Sequence, residues 1–291
     1  MCGIYGVISK NNQLSEQTVA AINSVFQSNM GHRGPDSNGT FLSRNKKVLL
    51  GHLRLSIIDL ENGIQPMKGN NGNVVVFNGE IYNFNVLKKS LNYEFKTSSD
   101  TEVILAQYEE GPNFCNRLNG MYGFALFDET SNVLNIAVDP LGIKSVYLFE
   151  NEEVVVFSSE LVGLAKCVSD VFDVEQKLDL DNCSSYLYHG MFLNDSTPLV
   201  GVRKLVPGSL VRLSLDDYST DVSRIEFQSE YESNTPLDKV IDDAIQRQLV
   251  ADVPICLFLS GGIDSSILAA SLASKGIKIK CFTFGFAQSD V

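Results

Sequence analysis

The hydrophobic pattern of this chain changes class once, near Pro236, and that change limits the folds open to it. Before it, short apolar runs come in pairs joined by turns. Gly123-Phe124-Ala125-Leu126-Phe127-Asp128 and Val133-Leu134-Asn135-Ile136-Ala137-Val138 flank a turn at 129–132, and 147–149 with 154–157 read as a second hairpin. Hairpins build antiparallel sheets. Helices are expected at 14–28, where Leu14, Val19, Ile22 and Phe26 share a face and Ser15 caps, and also at 83–91, 101–110 and 179–188. This first region is therefore α+β. After Pro236 a helix to about Leu249 is followed by a strand at 255–259, a glycine loop, a helix at 263–275 and a strand at 277–284. That order is one βαβ unit of a parallel sheet. The polar, aperiodic stretch between them gives the expected division: a first domain at 2–215, a linker at 216–235 and a second domain at 236–291.

Composition excludes several functions. A hydrophobic fraction of 44% with 20% charged residues supports packed cores rather than disorder. The formal net charge of -12 argues against nucleic-acid binding through a basic face. With no C-x-x-C pair among the six cysteines and only His32, His52 and His189, no zinc or other metal cluster is expected. There is no signal-peptide pattern, and no apolar run approaches the ~18 residues of a membrane span. A cytoplasmic protein with reduced thiols and no membrane partner is expected.

Two stretches carry chemistry. The first is Met1-Cys2-Gly3-Ile4-Tyr5-Gly6-Val7. Removal of Met1 leaves Cys2 with a thiol and a free α-amine on one residue. The amine's reference pKa of about 7.7–8.0 lets it act as the thiol's own general base. Cys2 equally reads as a buried cysteine at the start of a strand. The second stretch is Ser260-Gly261-Gly262-Ile263-Asp264-Ser265-Ser266, between a strand and a helix. Such a loop aims backbone N–H groups and a helix dipole at an anion. It is not a Walker A loop, because no Lys follows the glycines. A plain strand-to-helix turn is the alternative.

Taken together, Cys2-Gly3-Ile4, His32-Arg33-Gly34-Pro35-Asp36, Arg54-Leu55-Ser56-Ile57-Ile58-Asp59, Asn78-Gly79-Glu80-Ile81-Tyr82-Asn83, Ser99-Asp100 and Asp139-Pro140-Leu141-Gly142 resemble the glutaminase domain of glutamine-hydrolysing asparagine synthetases. The Ser260–Ser266 loop is similar to their pyrophosphate loop. The resemblance implies an N-terminal-nucleophile hydrolase sandwich, with antiparallel sheets between helices, followed by the start of an α/β pyrophosphate-loop domain. It implies that Cys2 attacks the side-chain amide of glutamine, forms a thioester and releases ammonia. The Asn78 side chain and the Gly79 N–H would hold the oxyanion. Arg54 would bind the glutamine α-carboxylate, Glu80 and Asp100 its ammonium, and Leu55, Ser56, Ile57 and Ile58 would line the pocket. Asp100 also reads as a helix cap, and Asn78 as a turn residue. Arg33 would belong to a loop closing over the site, or serve structure alone. In the second domain Ser260, Gly261, Gly262 and Ser265 would bind the pyrophosphate of ATP. Asp264 would place Mg²⁺, and Leu259 and Phe284 would flank the adenosine. Aspartate would be activated by ATP and amidated by the ammonia, and a homodimer is expected on the same grounds.

The sequence departs from that pattern at Ser145, where proline is usual, and at Ser158, where a small apolar residue is common. It also ends at Val291, just after its second parallel strand, so a fragment or truncated product is expected, competent for glutamine hydrolysis but not for ATP-dependent amide synthesis. Two rival readings stay open. One is a related amidotransferase acting on another carboxylate, such as a sugar acid of a surface polysaccharide. The other is a non-catalytic remnant that binds glutamine or a partner subunit.

Overall fold

The computed structural model describes residues 1–227, 231–232 and 234–285. It forms two compact units, Met1–Gln228 and Ser229–Val291. The first unit runs β1 (Gly3–Ser9), α1 (Glu16–Met30), β2 (Ser37–Leu42), β3 (Val48–Arg54), β4 (Met67–Lys68), β5 (Val74–Ile81), α2 (Phe84–Ser90), α3 (Glu102–Glu109), β6 (Gly120–Asp128), β7 (Val133–Val138), β8 (Tyr147–Glu150), β9 (Val154–Ser158), α4 (Leu161–Asp170), α5 (Leu180–His189), β10 (Val202–Lys204), β11 (Ser209–Ser214) and β12 (Thr220–Arg224). The strands form two six-stranded sheets, ordered β10-β8-β9-β1-β3-β2 and β12-β11-β7-β6-β5-β4. Their pairings are antiparallel.

The sheets lie face to face. Ile4, Ile8, Val48 and Leu50 of the first meet Val74, Val76, Phe127 and Ile136 of the second in one buried cluster. On the outer face of the first sheet, Tyr5, Val7, Leu49 and Leu53 pack with α1 and α4 through Ile22, Phe26, Leu164 and Val168. On the outer face of the second, Val75, Phe77, Phe124 and Leu126 pack with α2 and α3 through Phe84, Leu87, Val103 and Ile104. Both faces of each sheet are covered, so the central strands are apolar at successive positions rather than at alternate ones. β1 is buried at all seven of its positions. Ile136→Val removes one methylene from the sheet–sheet layer and should cost about 0.5–1.5 kcal/mol, read from urea unfolding.

Two expectations are corrected. Residues 55–60, an apolar run that reads as a strand in the sequence, form a loop after β3. Their apolar run mimics a strand, but the backbone turns to offer its carbonyls to Arg54. The stretch 216–235, read wholly as linker, contains β12, which pairs with β11 from Ser209↔Arg224 to Leu213↔Thr220. β12 is a sheet edge exposed at every position, so it shows no apolar alternation. The short strands β2, β4 and β10 carry too few apolar residues to stand out in the sequence.

In the second unit α6 (Leu237–Gln248) precedes β13 (Cys256–Phe258), α7 (Ile263–Ser274) and β14 (Lys280–Phe282). β13 and β14 pair in parallel, with Cys256 opposite Lys280, as the βαβ reading requires. The last strand is shorter than the expected 277–284. Among the described residues no helix is long and apolar enough to cross a membrane.

Candidate active site

The polar residues of the first unit continue the inner faces of its strands beyond the apolar core. Side chains alternate along a strand, so Cys2 falls on the same face as Ile4 and Ile8, Arg54 on that of Val48 and Leu50, and Asn78 and Glu80 on that of Val74 and Val76. Gly3 pairs with Leu53, so the start of β1 lies beside the end of β3. The Leu55 N–H donates to Cys2 Sγ at 3.3 Å, and the thiol points to the Leu55 carbonyl at 3.4 Å. Arg33 Nε donates to the Cys2 carbonyl at 2.8 Å, and its Nη1 to Glu160 Oε1 at 2.8 Å. Arg33 thus holds the Cys2 backbone in place.

Arg54 is buried, and carbonyls hold its guanidinium. Nη1 donates to Leu60 O at 3.0 Å and Nη2 to Asp59 O at 2.6 Å. Asp59 pins the loop in turn, accepting the N–H groups of Asn62 at 2.9 Å and Ser98 at 2.8 Å. The guanidinium fork has further N–H groups for a ligand.

β5 supplies the opposite wall. The Phe77 N–H donates to Gln65 Oε1 at 2.7 Å, and the Ile81 N–H donates to Asp100 Oδ2 at 3.0 Å. Both point away from β6, and alternate residues of a strand share an edge. The Gly79 N–H therefore points the same way, into the space beside Cys2. Only glycine fits there: a Cβ would run into the Met121 carbonyl oxygen of β6. Asp100 is not a helix cap, because α3 begins after Thr101 without a side-chain cap and the Asp100 carboxylate is turned to β5.

One cavity of about 300 Å³ gathers Cys2, Arg54, Leu55, Ile57, Ile58, Asn78, Gly79, Glu80 and Asp100. Ser56 does not line it, and its N–H donates to Asp36 Oδ2 at 2.7 Å instead. Lys144 and Gln65 line the cavity without having been singled out in the sequence. Lys144 follows a turn built on buried Asp139, whose carboxylate accepts the N–H groups of Tyr122, Leu141, Ile143 and Lys144. The quoted Asp139–Gly142 motif was the available signal for Lys144. For Gln65 there was none.

The electrostatics are those of a partly dry pocket. Burial pushes the Cys2 thiol pKa up, opposed by the Leu55 N–H, the terminal amine and Arg54. Burial lowers the pKa of the terminal amine, here that of Met1, and the cations of Arg33 and Lys144 add to this. Removal of Met1 would move that amine onto Cys2. Burial raises Glu80, opposed by Lys144, and lifts Asp100 to about 6.

In the second unit the glycine loop stands between β13 and α7, with Gly261 at φ +82, a left-handed conformation that favours glycine. Ser260 Oγ accepts the Gly262 N–H at 3.3 Å, and Ser265 Oγ lies 3.1 Å from Ser260 Oγ. The loop and Asp264 are exposed. The Leu259 N–H donates to Phe282 O at 2.8 Å, and the Phe284 ring, largely exposed, lies 5.7 Å from that of Phe258. Among the described residues no cluster of His, Cys, Asp and Glu could hold a metal ion by itself.

Comparison with known proteins follows the same division. Residues 1–224 match the family model described as "Glutamine amidotransferase domain", and residues 236–290 match "Asparagine synthase". The chain is 33% identical to asparagine synthetase [glutamine-hydrolyzing] 1 of Bacillus subtilis, covering 99% of this chain and 46% of that protein. It is also 33% identical to asparagine synthetase B of Escherichia coli, covering 93% and 44% respectively. The chain thus spans about half the length of these curated relatives. The solved glutamine phosphoribosylpyrophosphate amidotransferase of B. subtilis aligns with a TM-score of 0.54 at 16% identity, over 99% of this chain and 69% of that one. At that identity the likeness shows the fold alone, the expected α+β sandwich in which helices flank two antiparallel sheets. The chain belongs to the glutamine amidotransferase domain family, joined as in glutamine-hydrolysing asparagine synthetases to asparagine synthase sequence.

Proposed function

We propose that the first unit hydrolyses glutamine to glutamate and ammonia. The observation that carries this reading is one cavity lined by the Cys2 thiol, the Arg54 guanidinium, the carboxylates of Glu80 and Asp100, and the neighbours Asn78 and Gly79. Arg54 binds the α-carboxylate, and Asp100 and Glu80 the α-ammonium. With Met1 removed, the Cys2 amine takes the thiol proton as sulfur adds to the amide carbon. The Asn78 side chain and the Gly79 N–H stabilise the oxyanion. The C–N bond then breaks, ammonia leaves with that proton, and water hydrolyses the thioester. The test is ammonia release from glutamine by the purified chain after mass spectrometry shows Cys2 as the first residue. Turnover is expected, and its absence with Cys2 exposed would refute the proposal.

For the chain joined to a complete synthetase domain, the same reading sends ammonia to an ATP-activated aspartate, giving asparagine, AMP and pyrophosphate. The Ser260–Ser265 loop supports ATP binding through its backbone N–H groups and hydroxyls, with Leu259 and Phe284 beside the adenosine. Mg²⁺ is commonly held by one or two carboxylates together with substrate phosphates, and exposed Asp264 fits that donor set. All six cysteines are free, which supports work in a reducing cytoplasm. A homodimer belongs to the proposal through the family resemblance alone.

The Asp100 carboxyl gives a pH prediction. Raised to about 6 by burial, it must lose its proton to receive the substrate ammonium. Glutamine kcat/KM should therefore rise as pH increases through about 6. Asp100→Asn should flatten that limb and cost about 1.5–3 kcal/mol in kcat/KM at neutral pH. The sign for stability is opposite. The ligand-free fold holds this proton more tightly than the unfolded chain, so this contribution is lost as pH rises from about 4 to about 6.

A further inference from the structure

β4 covers the outer edge of β5 only at Val74 and Val75, through the pairs Lys68↔Val74 and Met67↔Val75. Two residues later, Phe77 presents its N–H and C=O to that edge with no strand beside it among the described residues. Two buried side chains meet them. Gln65 Oε1 accepts the Phe77 N–H at 2.7 Å, and His52 Nε2 lies 3.0 Å from the Phe77 carbonyl oxygen. A carbonyl only accepts, so His52 carries its proton on Nε2. Burial lowers the ring's pKa to about 4, which keeps it neutral at working pH, and Nδ1 has no partner among the described residues. Gln65 reaches further. Its Nε2 donates to Thr101 Oγ1 at 3.2 Å, tying β5 to the segment that carries Asp100.

We infer that Gln65 and His52 are positioning residues, a two-point clasp on the backbone of Phe77 that sets the oxyanion donors Asn78 and Gly79 relative to Cys2. The inference rests on the glutaminase reading. Gln65 holds the peptide group before Phe77 and His52 the one that joins Phe77 to Asn78, and among the described residues no strand does that work at this point. Oxyanion stabilisation requires donors fixed before the charge appears, and neither side chain needs to touch the developing charge. The clasp thus acts on the transition state rather than on ground-state binding of the glutamine backbone groups, which Arg54, Glu80 and Asp100 hold.

The experiment uses the full chain with Met1 removed and Cys2 exposed, and compares the parent with Gln65→Met, Gln65→Glu and His52→Phe. Three quantities are measured: kcat and KM for glutamine hydrolysis, inhibition by the γ-aldehyde of glutamate, and inhibition by glutamate. The aldehyde's thiol adduct places an oxyanion in the hole, whereas glutamate does not. Gln65→Met should lower kcat roughly 10- to 100-fold with KM nearly unchanged, because a misplacement of about 1 Å costs on the order of 100-fold. Aldehyde inhibition should weaken in step with kcat, and glutamate inhibition should hold. Gln65→Glu keeps an acceptor for the Phe77 N–H and should recover much of the lost kcat. If Gln65→Met fails to fold, His52→Phe is judged by the same criteria. An unchanged kcat in folded Gln65→Met or His52→Phe, or a loss confined to KM, overturns the clasp while leaving the glutaminase reading intact. An inactive parent overturns the glutaminase reading, and the clasp with it.

Discussion

Replacing Cys2 with alanine should lower glutamine hydrolysis by at least about 10,000-fold while leaving glutamine binding in place. The size follows from the mechanism. Without the thiol no thioester forms, and what remains is water attack assisted by the oxyanion donors. Among the described residues Cys2 is the only cysteine that lines the cavity. Cys115 and Cys167 are buried, and burial pushes the Cys167 thiol up to about 12. Binding should survive because Arg54, Glu80 and Asp100 hold the α-groups and do not depend on sulfur. Ammonia release measured beside glutamine binding by calorimetry separates the two effects.

Asn78→Ala should lower kcat about 100- to 1,000-fold, equivalent to about 2.7–4 kcal/mol of lost transition-state stabilisation, with a much smaller change in KM. Asn78 is buried on the inner face of β5 and lines the cavity with Cys2. In the proposed mechanism its amide meets charge that exists only after sulfur has added, so its removal should fall on kcat. Steady-state kinetics at saturating glutamine checks it. An equal loss in kcat/KM with kcat intact would assign Asn78 to ground-state binding instead.

The sequence already showed the hairpins of β6–β7 and β8–β9, because paired apolar runs around a short turn leave few alternatives. It showed the βαβ unit, because a glycine loop between an apolar strand and a helix is locally specified. Edges were harder to see. β12 carries no buried residue, and β2 pairs only with β3, so neither leaves an apolar signature. The loop at 55–60 misled because Leu55, Ile57 and Ile58 are apolar for the sake of the cavity wall rather than a sheet.

At the site, Cys2 was legible from its own chemistry and Arg54, Asn78, Gly79 and Asp100 through the family resemblance, and the structure brings them to one cavity. Alternation explains why. Polar residues that continue an apolar inner face mark the place where the core ends and a pocket begins. His52 obeys the same rule between Leu50 and Arg54, but a lone buried histidine has no chemistry that a sequence can reveal. Gln65 was invisible because its work is done on a backbone peptide in a different strand. Lys144 was hidden because its position depends on four N–H groups converging on Asp139.

The measurement that tests the account most directly is labelling of the chain with a glutamine-mimicking electrophile, followed by peptide mapping, with and without excess glutamine. The account predicts a single adduct on an N-terminal Cys2, slowed by glutamine in proportion to its occupancy of the cavity and unaffected by aspartate. Labelling spread over the other thiols, or labelling of Cys2 that glutamine does not slow, would contradict it.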